Sequence, residues 1–131
     1  MKSKIFIPAI IALLLVALPH IHCNKDDGND DFFIPDLDNQ WTNKEDNTNT
    51  FFFLVDNSNT NTSTFTGNEN NPNSVDQYHF SGSFTNRNLQ FTYDNSSGDK
   101  SGKTYTGTIN DASNVMTLHN NDLGDLVLEK Q

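Results

Sequence analysis

Tyr78-His-Phe80-Ser-Gly82-Ser-Phe84 is the stretch that decides the fold of this 131-residue chain. Every second residue of it is apolar or glycine and the residues between them are polar, which predicts a β-strand with one buried face. The segment 86–88 predicts a turn, and Leu89, Phe91 and Tyr93 alternate in the same way after it. The two segments together therefore predict an antiparallel β-hairpin.

Short apolar segments recur from Leu37 onward, separated by clusters of Asn, Gly, Ser and Asp. Their spacing of roughly 8–12 residues is typical of sandwiches and barrels. Trp41 opens the first strand, and the unbroken apolar run within residues 50–56 predicts a strand that is buried on both faces or at a closed end. A third strand is predicted over residues 62–67, and a long loop over 68–73. Alternating apolar or glycine positions mark the later strands at Tyr105, Gly107 and Ile109, at Met116 and Leu118, and at Leu126 and Leu128.

A triplet of an aromatic residue, a hydroxyl residue and glycine occurs as Phe65-Thr-Gly67, Phe80-Ser-Gly82 and Tyr105-Thr-Gly107. Glycine on the inward face of a strand permits sharp coiling and leaves room for a neighbouring ring. The second and third copies lie 25 residues apart and each begins a hairpin. The triplets therefore indicate a repeated β-hairpin rather than a solenoid.

These patterns predict an all-β fold with about eight strands in chain order, joined by short loops. Sequential hairpins favour an antiparallel up-and-down barrel, since closing the sheet removes its edges, and a β-sandwich is the alternative. The abundance of asparagine and the scarcity of alanine after residue 22 disfavour helices. With a single cysteine in the chain, no intramolecular disulfide supports the core.

The segment Leu37-Asp-Asn39-Gln-Trp41 is similar to the Leu-x-Gly-x-Trp start of the first strand in lipocalin-like and avidin-like barrels. Asn39 stands where those families have glycine, and asparagine also accepts a positive φ. The resemblance implies a tryptophan that closes one end of a barrel and a small-molecule site at the other end.

The beginning of the chain has the pattern of an export signal. Residues 1–4 contain two lysines, and residues 5–18 are fourteen positions without a charge, as in the basic and apolar regions of a secretory signal. The apolar run is shorter than the roughly 20 residues that a membrane-spanning helix needs. We therefore predict that this part directs export.

The only cysteine, Cys23, follows that apolar run as in bacterial lipoprotein signals. Cys23-Asn-Lys-Asp-Asp27 resembles the start of surface-exposed lipoproteins of Bacteroidota, whereas His20 and His22 replace the aliphatic and small residues that usually precede the cysteine. The resemblance implies acylation of Cys23 and a lipid-anchored protein of the outer membrane, exposed at the cell surface. The alternative is ordinary secretory cleavage, which gives a soluble secreted protein.

The chain is thus predicted to contain a lipoprotein signal peptide over residues 1–22, an acidic flexible tether over 23–36 and a β-barrel domain over 37–131. Its formal net charge of −9 makes nucleic-acid binding improbable, because phosphate backbones repel it. Anionic membrane surfaces repel it as well. Attachment to a membrane is therefore expected to depend on the lipid at Cys23.

No catalytic apparatus is recognisable, and no enzymatic activity is predicted. The two histidines after the leader, His79 and His119, are predicted to lie at the surface, and no cluster has the spacing of metal ligands. No pair of carboxylates can be singled out for glycosidase chemistry. The sequence therefore predicts no catalytic residue, no metal site and no cofactor.

The remaining prediction is a binding protein whose candidate ligand residues are Trp41, Tyr78, Tyr93 and Tyr105. Buried tyrosine hydroxyls need partners, so these rings are candidates to bind a small apolar ligand inside the barrel. The alternative is a protein-interaction module, such as an accessory subunit, an adhesin or an inhibitor. An internal cavity of about 300 Å³ or more favours a ligand, whereas a filled interior with an exposed aromatic patch favours a protein partner.

Overall fold

Residues 32–131 are described by a computed structural model, and within them the chain forms a closed barrel. Each strand pairs antiparallel with the next along the chain, and the last strand pairs with the first. The prediction of an eight-stranded, antiparallel up-and-down barrel is confirmed, and the sandwich alternative is wrong. The strands are β1 (Gln40–Asn43), β2 (Thr50–Val55), β3 (Thr62–Asn70), β4 (Tyr78–Thr85), β5 (Asn88–Tyr93), β6 (Thr104–Ile109), β7 (Val115–Asn120) and β8 (Gly124–Lys130), with a 3-10 helix at Gly98–Lys100.

The clearest hairpin of the sequence is formed by β4 and β5. Phe80 lies opposite Tyr93 and Gly82 opposite Phe91, so the inward positions of both strands coincide across the ladder. Asn86 in the intervening turn has a φ of 52°, a conformation that asparagine tolerates better than most residues. The alternating pattern therefore determined both the strands and their register.

The strand β2 differs from its prediction. Phe51 and Phe53 are buried, but Phe52 and Leu54 point outward and are 40% and 72% exposed. The expectation that both faces of this strand are buried is wrong, because a barrel is a single sheet and no second layer from residues 32–131 covers its outside. The apolar run thus gives a strand with an apolar outer face.

The strand β3 is longer than predicted and includes the first residues of the expected loop. Asn68 pairs with Phe52 on one side and with His79 on the other, and Glu69 pairs with Phe51 and Tyr78. Hydrogen-bonded neighbours on both sides outweigh the turn preference of asparagine. The inward position that follows Gly67 in the alternation is therefore Glu69.

Two glycines of the repeated triplet lie directly under aromatic rings. A Cβ atom at Gly67 would lie 2.3 Å from Cε2 of Phe80, and one at Gly82 would lie 2.6 Å from Cζ of Phe65. The expectation of room for a neighbouring ring is confirmed at these positions. A backbone oxygen is also close at both positions, and at Gly107 the three nearest atoms all belong to the backbone of β7.

The two ends of the barrel are built differently. The Trp41 end contains the turns β2–β3, β4–β5 and β6–β7, together with the entry of the chain into β1. The Tyr93 end contains the other four loops, β1–β2, β3–β4, β5–β6 and β7–β8.

Trp41 is completely buried, and its indole Nε1 donates a hydrogen bond to the Leu37 carbonyl at 3.0 Å. Asn39 between them has a φ of 78°, the conformation expected from the resemblance of this segment to barrels with glycine there. The short bend thus places the ring in the barrel and satisfies its only polar atom.

Contacts with the barrel begin before the predicted domain boundary at residue 37. The Phe33 amide donates to Oδ1 of Asn86 at 3.3 Å, and the Arg87 guanidinium lies 4.4 Å from the centre of the Phe33 ring. Asp36 forms an ion pair of 2.7 Å with Lys130. The predicted signal peptide, Cys23 and most of the predicted acidic tether lie outside the described residues.

Candidate functional site

The interior of the barrel is occupied by aromatic side chains. The centres of the Phe80 and Phe91 rings lie 4.4 Å apart, and Phe53 lies 5.3 Å from Phe80 and 5.4 Å from Phe65. Each of these rings is at most 7% exposed. The prominent clefts of residues 32–131 open to solvent on the outside of the barrel or among its loops. The described barrel is therefore a packed core.

A buried polar network fills the Tyr93 end, and Glu69 is its centre. The Glu69 side chain is 0% exposed, and its carboxylate accepts two bonds from Nζ of Lys100, at 2.7 and 2.8 Å. It also accepts bonds from Nδ2 of Asn49 at 2.8 Å and from the Tyr93 hydroxyl. The Lys100 ammonium lies 4.5 Å from the centre of the Tyr78 ring, which adds a cation–π contact.

The β5–β6 loop holds Lys100 in this place. Ser97 is 0% exposed, and its hydroxyl accepts a bond from the His79 amide at 2.9 Å and donates one to the His79 carbonyl at 2.7 Å. Gly98, with a φ of 54°, then starts the 3-10 turn that carries Lys100. Since the loop is fixed to β4, it closes the Tyr93 end over the network.

The electrostatics of this end keep its phenols protonated. Burial raises the pKa of Tyr93 strongly, and the negative charge of Glu69 raises it further. Burial, with the charges of Glu69 and Asp125, raises the pKa of Tyr105 to about 12. Both groups therefore act as neutral hydrogen-bonding groups near neutral pH rather than as bases.

The four predicted ligand residues do not form one cluster. Trp41 lies at one end of the barrel, while Tyr78, Tyr93 and Tyr105 lie together at the other, with ring centres of successive pairs 6.1 and 6.4 Å apart. The Tyr78 hydroxyl contacts Oγ of Ser74 at 2.9 Å and donates to Asp99 at 3.2 Å. The hydroxyls of Tyr78 and Tyr93 are thus already paired within the protein.

Sequence reasoning missed Asn49, Glu69 and Lys100, which all lie at the Tyr93 end. One signal was available for Glu69, because it continues the inward alternation of Phe65 and Gly67. No comparable pattern marks Asn49 or Lys100, which come from loops. Oδ1 of Asn49 is buried and has no hydrogen-bond partner among residues 32–131.

His79 and His119 are both exposed, as predicted. His119 contacts Asp125 through Nδ1 at 2.5 Å, and this hydrogen bond raises its pKa above 6.5. Residues 32–131 contain no cluster of three His, Cys, Asp or Glu side chains arranged to hold a metal ion. They also contain no helix with the length and hydropathy required to cross a membrane.

The outside of the barrel across β2, β3 and β4 carries exposed apolar side chains of β2 and of the β3–β4 loop beside polar ones of β3 and β4. Phe52, Asn68 and His79 lie in one row across the three strands, and two adjoining clefts of about 350 and 600 Å³ share all three residues. Leu54 lines the first cleft and Val75 of the β3–β4 loop lines the second. We call these five residues the β2–β4 groove.

Comparison of the chain with protein-family models, with curated proteins and with solved structures found no match. The closed eight-stranded barrel fits the architecture of lipocalin-like binding proteins. Because one fold serves many functions, the function has to be argued from the surfaces and sites of this chain.

Proposed function

We propose that this protein is a lipid-anchored surface protein without catalytic activity, and that it binds a protein partner through the outside of its barrel. The observation that carries the proposal is the exposure of Phe52 and Leu54 on β2, next to a core that is already filled. Apolar groups rimmed by polar residues mark interaction surfaces on soluble domains.

Closure at both ends supports binding on the outside. Trp41 and the preceding segment cover one end, and the network of Glu69 and Lys100 with the β5–β6 loop covers the other. A ligand inside the barrel would have to displace buried aromatic rings, whereas the β2–β4 groove is open without any rearrangement.

Site-specific photo-crosslinking tests the outer surface. A photoreactive amino acid at position 66, beside Leu54 on the outer face, should crosslink one protein on intact cells. The same group at Gln90, on the outer face of β5, serves as the matched control. Loss of the crosslink in the Phe52→Ser variant supports the proposal; a crosslink that is equal from both positions and survives this substitution contradicts it.

The lipid anchor has a separate test. Intact-mass analysis of the mature protein, with Cys23→Ser as the control, should show the mass of the acyl chains on a chain that begins at Cys23. An unmodified chain that begins at Asn24 would contradict the anchor and favour the secreted alternative. The proposed binding surface does not depend on this result.

A second candidate function is the binding of a small molecule at the Tyr93 end. Oδ1 of Asn49, to which no group of residues 32–131 donates, favours it, since a buried acceptor without a donor is uncommon. A ligand that donates to this oxygen should raise the melting temperature of the wild type, and Tyr105→Ala should weaken that shift. If Tyr105→Ala lowers stability while every tested ligand leaves the melting temperature unchanged, this candidate loses its support.

A further inference from the structure

The β2–β4 groove presents apolar side chains that no other part of residues 32–131 covers. Phe52, Leu54 and Val75 are 40%, 72% and 102% exposed. Removal of such surface from water favours association, and aromatic and aliphatic groups of this kind form the centres of protein interfaces. An apolar side chain of a partner therefore fits the side of the groove formed by β2.

Negative charge borders the same groove without a compensating cation. Asp76 and Asp94 line the two clefts, and neither takes part in an ion pair within residues 32–131. The lining of both clefts includes no lysine or arginine. Lys100, which contacts the Tyr78 ring, is already paired with Glu69. In a chain of net charge −9, this border favours a cationic partner.

The apolar side chains of the groove lie at a fixed spacing from Asp94 at its acidic border. The row of Phe52, Asn68 and His79 continues to Asp94, whose amide donates to the His79 carbonyl at 2.8 Å. Three steps of about 4.8 Å between neighbouring segments separate Phe52 from Asp94, which is about 15 Å along the curved outer surface of the closed barrel. An extended peptide covers that distance with about four to five residues.

We infer that the groove binds an extended segment of a partner protein that carries an apolar side chain and, about four residues away, a lysine or arginine. The apolar side chain packs on Phe52 and Leu54, and the cation pairs with Asp94, while Asp76 of the adjoining cleft adds negative charge nearby. Between them, the Asn68 amide offers hydrogen bonds to the backbone of the segment. This inference rests on the proposed function and adds to it the chemistry of the partner.

Selection from a random peptide library displayed on phage tests the inference, with the full chain as bait. The selected peptides should combine an apolar residue with lysine or arginine at the stated spacing. They should not be enriched on the Leu54→Ser variant. A selected motif without lysine or arginine overturns the inferred charge but leaves the proposed function intact, whereas a motif that is equally enriched on Leu54→Ser contradicts both.

Binding of a selected peptide to single variants, followed by fluorescence anisotropy, locates the contacts. Asp94→Asn combined with Asp76→Asn should weaken binding about tenfold and reduce its sensitivity to salt. Leu54→Ser should weaken it by a similar factor. Asp38→Asn and Phe32→Ser are matched controls at exposed positions outside the groove, and both should bind within about twofold of the wild type.

Two results of these measurements overturn the inference. The first is unchanged affinity in the double aspartate variant, because the carboxylates then contribute nothing. The second is that no peptide is selected, whereas neutral oligosaccharides bind to the wild type and not to Leu54→Ser. The groove would then recognise a different class of molecule. Melting curves of each variant confirm that a loss of binding is not a loss of folding.

Discussion

At the scale of single residues, Glu69 is the side chain whose environment differs most from what its type predicts. A carboxylate that is removed from water is destabilising unless it is paired and hydrogen-bonded. Here Lys100, Asn49 and Tyr93 donate to its two oxygens. The stability of the Tyr93 end therefore depends on these partners remaining in place.

Replacement of Lys100 with methionine should lower the free energy of unfolding by about 3 kcal/mol, because it leaves the Glu69 carboxylate buried without its cation. Urea denaturation measures this loss. The matched control is Lys103→Met, which removes an exposed ion pair with Asp122 and should cost less than about 1 kcal/mol. Equal losses of unfolding free energy in the two variants would show that the buried pair contributes no more to stability than the exposed one.

The pair of His119 and Asp125 gives a prediction for the pH dependence of stability. Asp125 raises the pKa of the His119 imidazole above 6.5, so the imidazolium is favoured in the folded state. The pair therefore stabilises the folded state fully at pH values below 6.5, and this stabilisation is lost as the pH rises through the raised pKa of His119. Titration of the imidazole by NMR should show the raised value, and Asp125→Asn should lower it.

The same variant has a stability readout. Urea denaturation gives the difference in the free energy of unfolding between the wild type and Asp125→Asn. This difference should be larger below pH 6.5 than well above the raised pKa of His119. A stability difference between the two proteins that increases with pH would contradict the stabilising role of the His119–Asp125 pair.

At the scale of elements, the alternating strands were predictable and the exceptions have physical causes. The inward residues of β4 and β5 follow directly from the alternation. β2 was misjudged because a run of apolar residues does not reveal whether a second layer covers the sheet. β3 was predicted too short because the pairing of Asn68 and Glu69 with both neighbouring strands is not visible in local sequence.

Gly107 offers a test of how tightly neighbouring strands approach. A Cβ atom there would lie 1.9 Å from the Thr117 carbonyl oxygen and 2.8 Å from Cα of Leu118, and backbone atoms cannot rotate away. Gly107→Ala should therefore destabilise the protein by about 3 kcal/mol. Thr106→Ala on the outer face of the same strand should change stability by less than about 1 kcal/mol. Thermal unfolding compares the two, and similar melting temperatures would argue against the close approach.

At the scale of the whole molecule, the barrel is a filled cylinder closed by different means at its two ends. The Trp41 end was anticipated from Leu37, Asn39 and Trp41, which lie close together in the chain. The Tyr93 end was not, because Asn49, Glu69 and Lys100 come from three separated segments. Local pattern thus predicted the scaffold, whereas the polar network and the β2–β4 groove arise only when distant segments are brought together.

Trp41 reports on closure of its end, since it is the only tryptophan of the chain and is 0% exposed. Its fluorescence should resist quenching by acrylamide in the folded protein. Leu37→Ala should increase quenching and lower the free energy of unfolding by about 3 kcal/mol, because it removes a buried side chain from the segment that covers this end. Phe32→Ala, at a position that is 70% exposed, is the control and should leave quenching unchanged. Equal quenching in all three proteins would show that the segment does not close the end.

The attachment of residues 33–39 to β1 has a mechanical consequence. Tension applied to the chain ahead of Phe33 would first load the contacts of Phe33 with the β4–β5 turn and of Asp36 with Lys130. It would then reach β1, which is hydrogen-bonded to β2 on one side and to β8 on the other. The bonds of an antiparallel ladder run perpendicular to the strands, so a pull along β1 loads both rows in shear, all at once. The shortest strand, β1, therefore resists force through its hydrogen bonds to β2 and to β8 at the same time, and these bonds do not break one after another.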